Sequence, residues 1–63
     1  VNYCTDTNLM LKISIQGEET AIREYTNMLK VLTNEQVKRV ITYILEQEKH
    51  HLKELNGLYN TLN

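Results

Sequence analysis

The chain has no proline, two glycines and a single cysteine. Without proline, nothing in the sequence forces a helix to break. With one cysteine, Cys4, no internal disulfide can brace the fold. Long apolar runs are also missing. None approaches the roughly 18–20 residues needed to cross a bilayer, so no membrane association is expected. The formal net charge is −1, with no basic run of the kind that marks nucleic-acid binding, so no nucleic-acid partner is expected either. The opening Val1-Asn2-Tyr3-Cys4-Thr5-Asp6 has neither the basic start nor the apolar stretch of a signal peptide. The expected location is the cytoplasm, with which one unpaired cysteine is compatible.

Size imposes a further constraint. The 63 residues form a single domain. Below about 70–80 residues, a single core rarely supplies more than about 3–5 kcal/mol, and such chains rely on disulfides, metals or association. The disulfide is excluded, so metal and association remain. The abundant Leu, Ile, Glu, Lys and Gln favour helix.

Two apolar stripes organise what is present. Leu11, Ile15, Glu18, Ile22, Tyr25, Leu29 and Leu32 recur at alternating steps of four and three, a heptad seam on one side of a helix. Met10, Ala21 and Met28 widen it. Residues 1–7 carry no such pattern and read as a lead-in, with Asp6, Thr7 or Asn8 as N-cap. Thr33-Asn34-Glu35-Gln36 then reads as a capping box, with Thr33 as N-cap and Gln36 reaching back. A second seam follows through Val37, Ile41, Ile44, Glu48, His51, Leu55, Leu58 and Leu62, flanked by Val40, Leu45, Leu52 and Tyr59. The expected helices span about 8–32 and 34–60, the first running through Gly17 and the second past Gly57. So short a link makes the helices antiparallel neighbours. The fold class is therefore all-α: a two-helix hairpin whose broad apolar bands need a second copy, giving a four-helix bundle from a homodimer or a higher homo-oligomer.

Three polar residues interrupt the seams: Glu18 in the first, Glu48 and His51 in the second. Glu18 lies fifteen residues before Thr33 and Glu48 fifteen after it, so each arm climbs roughly 22 Å from the turn and both carboxylates reach one level. His51 is one turn further along. A buried carboxylate costs several kcal/mol unless it is paired or binds a metal. No Lys or Arg occupies a seam position to pair with it. Two copies would bring four carboxylates and two imidazoles together, a charge of −4 that two divalent cations neutralise. Carboxylate with imidazole suits iron, manganese or zinc. The competing possibility is a polar layer that sets the register of a non-enzymatic dimerisation module.

Gly17-Glu18-x-x-Ala21-Ile22-x-x-Tyr25, with Glu48-x-x-His51 following thirty residues after Glu18, resembles half of the motif of the ferritin-like di-iron proteins. The resemblance spans about residues 11–59. It is nearest to the encapsulated ferritins, whose two-helix subunits share an iron site at a dimer interface, and is also similar to half of a rubrerythrin motif. It implies a ferroxidase oxidising Fe(II) to Fe(III), with two irons per dimer. Glu18 would be a terminal ligand, Glu48 a bridging ligand and His51 a terminal nitrogen ligand, the three together forming the catalytic centre. An encapsulating shell protein, and a place inside a protein nanocompartment, are further implications. A peroxide-handling site of rubrerythrin or manganese-catalase type, and a structural zinc site, are the alternatives. Outside the ligand set, Tyr25 is a candidate partner for a ligand carboxylate. Glu54 is a candidate to orient the imidazole. His50 points about 100° away from His51 and cannot share its metal.

Overall fold

The computed structural model describes residues 6–62 and consists of two helices, α1 (Thr7–Val31) and α2 (Glu35–Leu62), joined by a three-residue link. The Cα extents are 45 × 22 × 14 Å, the proportions of a flat antiparallel hairpin. Cys4 and most of the expected lead-in lie outside the described residues. No helix among the described residues is long and apolar enough to cross a membrane.

The helix boundaries follow from capping. Asp6 precedes α1, and its Oδ1 accepts the Leu9 N–H at 3.0 Å, satisfying one of the donors that a helix start leaves open. At the other end Leu32 turns to extended backbone, while its N–H still donates to the Met28 carbonyl at 3.0 Å. The N-cap of α2 is Asn34, not Thr33. Asn34 Oδ1 accepts the Val37 N–H at 3.1 Å, and its carbonyl accepts the Lys38 N–H at 2.9 Å. Both residues are good cappers, and Asn stands at least level with Thr in that role. Both glycines lie within helices, with open space where a side chain would be. Thr61 Oγ1 donates to the Gly57 carbonyl at 2.9 Å, holding the last turn beyond Gly57.

The first seam packs as its spacing predicts. Leu11, Ile15, Glu18, Ile22, Tyr25, Leu29 and Leu32 are all shielded, with Leu11 only 8% exposed. The second seam holds at Ile41, Glu48 and Leu55 and shifts by one at alternate positions, where the expected flanking residues Leu45, Leu52 and Tyr59 turn toward α1 and Ile44 stays half-buried beside them. The row of α2 that faces α1 is Ile41, Leu45, Glu48, Leu52, Leu55 and Tyr59, with Leu45 only 6% exposed. Leu45, Leu52 and Tyr59 are therefore core residues of the hairpin. Val37, His51, Leu58 and Leu62 turn outward instead.

The two sides of the hairpin differ in chemistry. On α1 the row Met10, Ser14, Gly17, Ala21, Met28 lies beside the seam, on the same side as the outward row of α2. The opposite side carries Lys12, Glu19, Arg23 and Lys30 from α1, with Lys49 and Lys53 from α2. Ion pairs there, such as Lys49 Nζ with Glu46 Oε1 at 3.8 Å, are exposed and contribute little. Among the described residues only Leu11 and Leu45 are buried apolar residues, so the hairpin leaves most of its apolar surface unused.

Replacing Asn34 by Ala removes the α2 cap and lowers stability by about 1 kcal/mol in a urea titration, whereas Thr33→Ala leaves the midpoint nearly unchanged. Equal effects would return the cap to Thr33.

Candidate metal centre

The equal arms bring Glu18 on α1 to the level of Glu48 and His51 on α2. One ligand atom from each of the three lies within 4.8 Å of the others. Opposed donors on a single cation at about 2.1 Å stand roughly 4.2 Å apart, so the trio is close to coordination distance. His51 Nδ1 is 3.8 Å from Glu18 Oε2, too far for a hydrogen bond. The Glu18 side chain is 25% exposed and that of His51 is 51% exposed, so the site opens on the imidazole side.

That opening is a cleft of about 450 Å³ lined by Ser14, Glu18, His51, Glu54, Leu55 and Leu58. Its floor is the seam and its rim is the outward row of α2. Ser14 was not among the residues singled out from the sequence. Its spacing could have identified it, since it lies one turn before Glu18 on the same face.

Electrostatics sets Glu18 apart. Its carboxyl is held above the ordinary value of 4.5, first by a hydrogen bond with Glu48, then by burial and by the charge of Glu48. His51 pulls the other way. Even so, Glu18 Oε2 remains buried without a hydrogen-bond partner. A lone-pair acceptor left unmatched beside a second carboxylate and an imidazole is the arrangement a cation satisfies. The donor set suits a divalent first-row metal.

The remaining candidates separate. Tyr25 is half-buried in the seam, seven residues toward the turn from Glu18. Glu54 lines the cleft, but its Oε1 lies 3.5 Å from His50 Nε2, so its close partner is His50. Both of those side chains are well exposed.

A family model described as Rubrerythrin matches residues 3–63. Neither a curated protein nor a solved structure matches the chain.

The raised Glu18 value gives a pH dependence of definite sign. Between 4.5 and the raised value the folded chain binds more protons at this group than the unfolded chain, so stability falls as pH rises through that window. Solvent at the open side of the site weakens the effect. Thermal melts of metal-free protein from pH 4 upward are expected to lose stability across this window, and Glu18→Gln to flatten that part of the slope. An unchanged slope in the variant would remove Glu18 as its source.

Proposed function

The chain belongs to the rubrerythrin family, within the ferritin-like superfamily, and on that premise we propose that it is a ferroxidase-type protein that oxidises Fe(II) at a centre shared by two copies. The observation that carries this reading is the trio Glu18, Glu48 and His51, which converges on one level of a hairpin that supplies no cationic side chain there. One hairpin offers two carboxylates and one imidazole. Two hairpins offer four and two, the donor set of a two-iron centre in a helical bundle.

In this reading Fe(II) is the substrate. Two ferrous ions held together release one electron each, so dioxygen gains two electrons and two protons to become hydrogen peroxide. The chain's own residues prepare that step. Glu18, whose carboxyl is held above its ordinary value, would give up its proton to bind a cation, so uptake is linked to proton release. Glu48 would hold the ion together with Glu18 as the second carboxylate of each hairpin. The imidazole adds a neutral nitrogen donor, which leaves the carboxylates to balance the metal charge. Leu55 and Leu58 on the cleft wall limit water beside the site.

A peroxide-reducing centre is the second reading, favoured by the family itself. It uses the same ligands and the same two electrons, with hydrogen peroxide and two protons giving two waters. The two readings divide on which oxidant reacts faster.

An anaerobic Fe(II) titration followed by exposure to air, then to peroxide, tests both. Saturation at two irons per dimer is expected, with fast oxidation in air and a loss of at least tenfold in rate in Glu48→Ala. A rate much faster with peroxide than with air would favour the second reading. A well-folded protein that takes up no iron above background would sink both and leave the polar trio as a register-setting layer.

A further inference from the structure

We propose that His50 and Glu54 form a second divalent-cation site on the rim of the cleft, an outer site that takes an ion from water and passes it inward. Capture stands on these two residues alone, and the passage inward rests on the metal-centre reading.

The pair arises from the spacing of α2. His50 and Glu54 are four residues apart, so their side chains lie on one face, one turn above the other. Leu52, which faces α1, stands two residues from each, so both point roughly 160° away from the hairpin core. Neither is committed to packing, with side chains 67% and 65% exposed. The i, i+4 spacing is the one by which a single helix presents two donors to one zinc ion.

The distance between the donor atoms fits an ion. His50 Nε2 stands 3.5 Å from Glu54 Oε1. That is longer than the roughly 2.7–3.2 Å of an N–H···O hydrogen bond. Two donors at about 2.1 Å from one tetrahedral cation are roughly 3.4 Å apart, so a cation fits between them without rearrangement. The neighbouring lysines are directed elsewhere. Lys49 Nζ stands 3.8 Å from Glu46 Oε1, and Lys53 points about 100° away from Glu54. A nitrogen with an oxygen donor selects a first-row divalent ion over magnesium or calcium, whose ligands are oxygen. Water fills the remaining positions, so the ion is held weakly and leaves readily. That suits capture and not storage.

The position of Glu54 turns capture into delivery. Among the residues that line the cleft, the carboxylates are Glu18 and Glu54. Glu18 lies on the floor with its side chain 25% exposed, whereas Glu54 lines the cleft and also meets His50. Glu54 is three residues beyond His51, about 4.5 Å further along α2. An ion that loses His50 therefore keeps a carboxylate as it enters, and exchanges its waters for Glu18 and His51 one at a time. Leu55 and Leu58 on the same wall offer no donor. Without Glu54 an ion must give up its water for a half-buried centre in a single step, which costs more.

Nuclear magnetic resonance of the imidazole nitrogens tests the outer site in metal-free full-length protein titrated with Zn²⁺. His50 Nε2 is expected to shift and saturate, and to need at least tenfold more Zn²⁺ in Glu54→Gln. The response is expected to persist when Glu18→Gln and Glu48→Gln together disable the inner centre. A His50 that stays unmoved while His51 responds overturns the outer site and leaves the metal centre standing. A response at His50 with none at His51 sinks the metal centre and the passage inward with it, while the outer site holds. Delivery is read by rapid mixing with Fe(II) at less than one ion per centre. Oxidation is expected to be at least threefold slower in Glu54→Gln, with the gap narrowing as Fe(II) approaches saturation. Equal rates at low Fe(II) overturn the delivery. Should a substitution unfold the chain, the wild-type titration alone decides the outer site.

Discussion

A carboxylate cannot stay charged inside an apolar seam unless something opposes its charge, and much of this hairpin follows from that requirement. Glu18 stands where Leu or Ile would complete the α1 stripe, and Glu48 does the same on α2. Among the described residues no Lys or Arg forms an ion pair with either carboxylate. The protein meets the requirement only in part by itself. The neighbouring Glu48 holds the Glu18 carboxyl above its ordinary value, and His51 stands near Glu18 at 3.8 Å without bonding to it. One oxygen is left buried and unmatched. In a core this small, such an arrangement costs stability that the rest of the hairpin has little surplus to cover.

The same economy shows in the packing. Only Leu11 and Leu45 are buried apolar residues among those described, and the hairpin closes over one seam while a second row stays open. The open row and the unsatisfied site lie on one side, and the charged residues lie largely on the other. A chain with these two sides acts as half of a core. Its polar trio is the part of that half where association and chemistry meet.

Much of this was legible in the sequence because helical spacing is a physical ruler. The α1 stripe has one apolar row with polar neighbours on one side, so its seam could be read residue by residue. In α2 two adjacent rows are largely apolar, with Ile44 beside Leu45 and Leu58 beside Tyr59, and His51 stands beside Leu52. Spacing finds both rows but cannot say which one faces α1. The answer depends on the crossing of two helices, and 3.6 residues per turn against a 3.5 repeat rotates the row steadily along 28 residues. The cap was ambiguous for a simpler reason, since Thr33 and Asn34 are adjacent and both suit the role. The level of the ligand trio, by contrast, followed from counting fifteen residues on each side of the turn. The pairing of Glu54 with His50 followed the i, i+4 geometry of a single helix, which competes with any link from Glu54 to His51.

The two equal arms also limit how the hairpin can change in evolution. One residue inserted between Glu18 and Leu32 turns Glu18 by 100° out of the seam, and one inserted between Asn34 and Glu48 does the same to Glu48 and His51. A single arm lengthened by a whole heptad keeps its face but parts the carboxylates by roughly 10 Å. The changes that preserve the site add or remove seven residues in both arms together. Descendants of this sequence are therefore free to change length at the two ends of the hairpin, while the span between the ligands keeps its length.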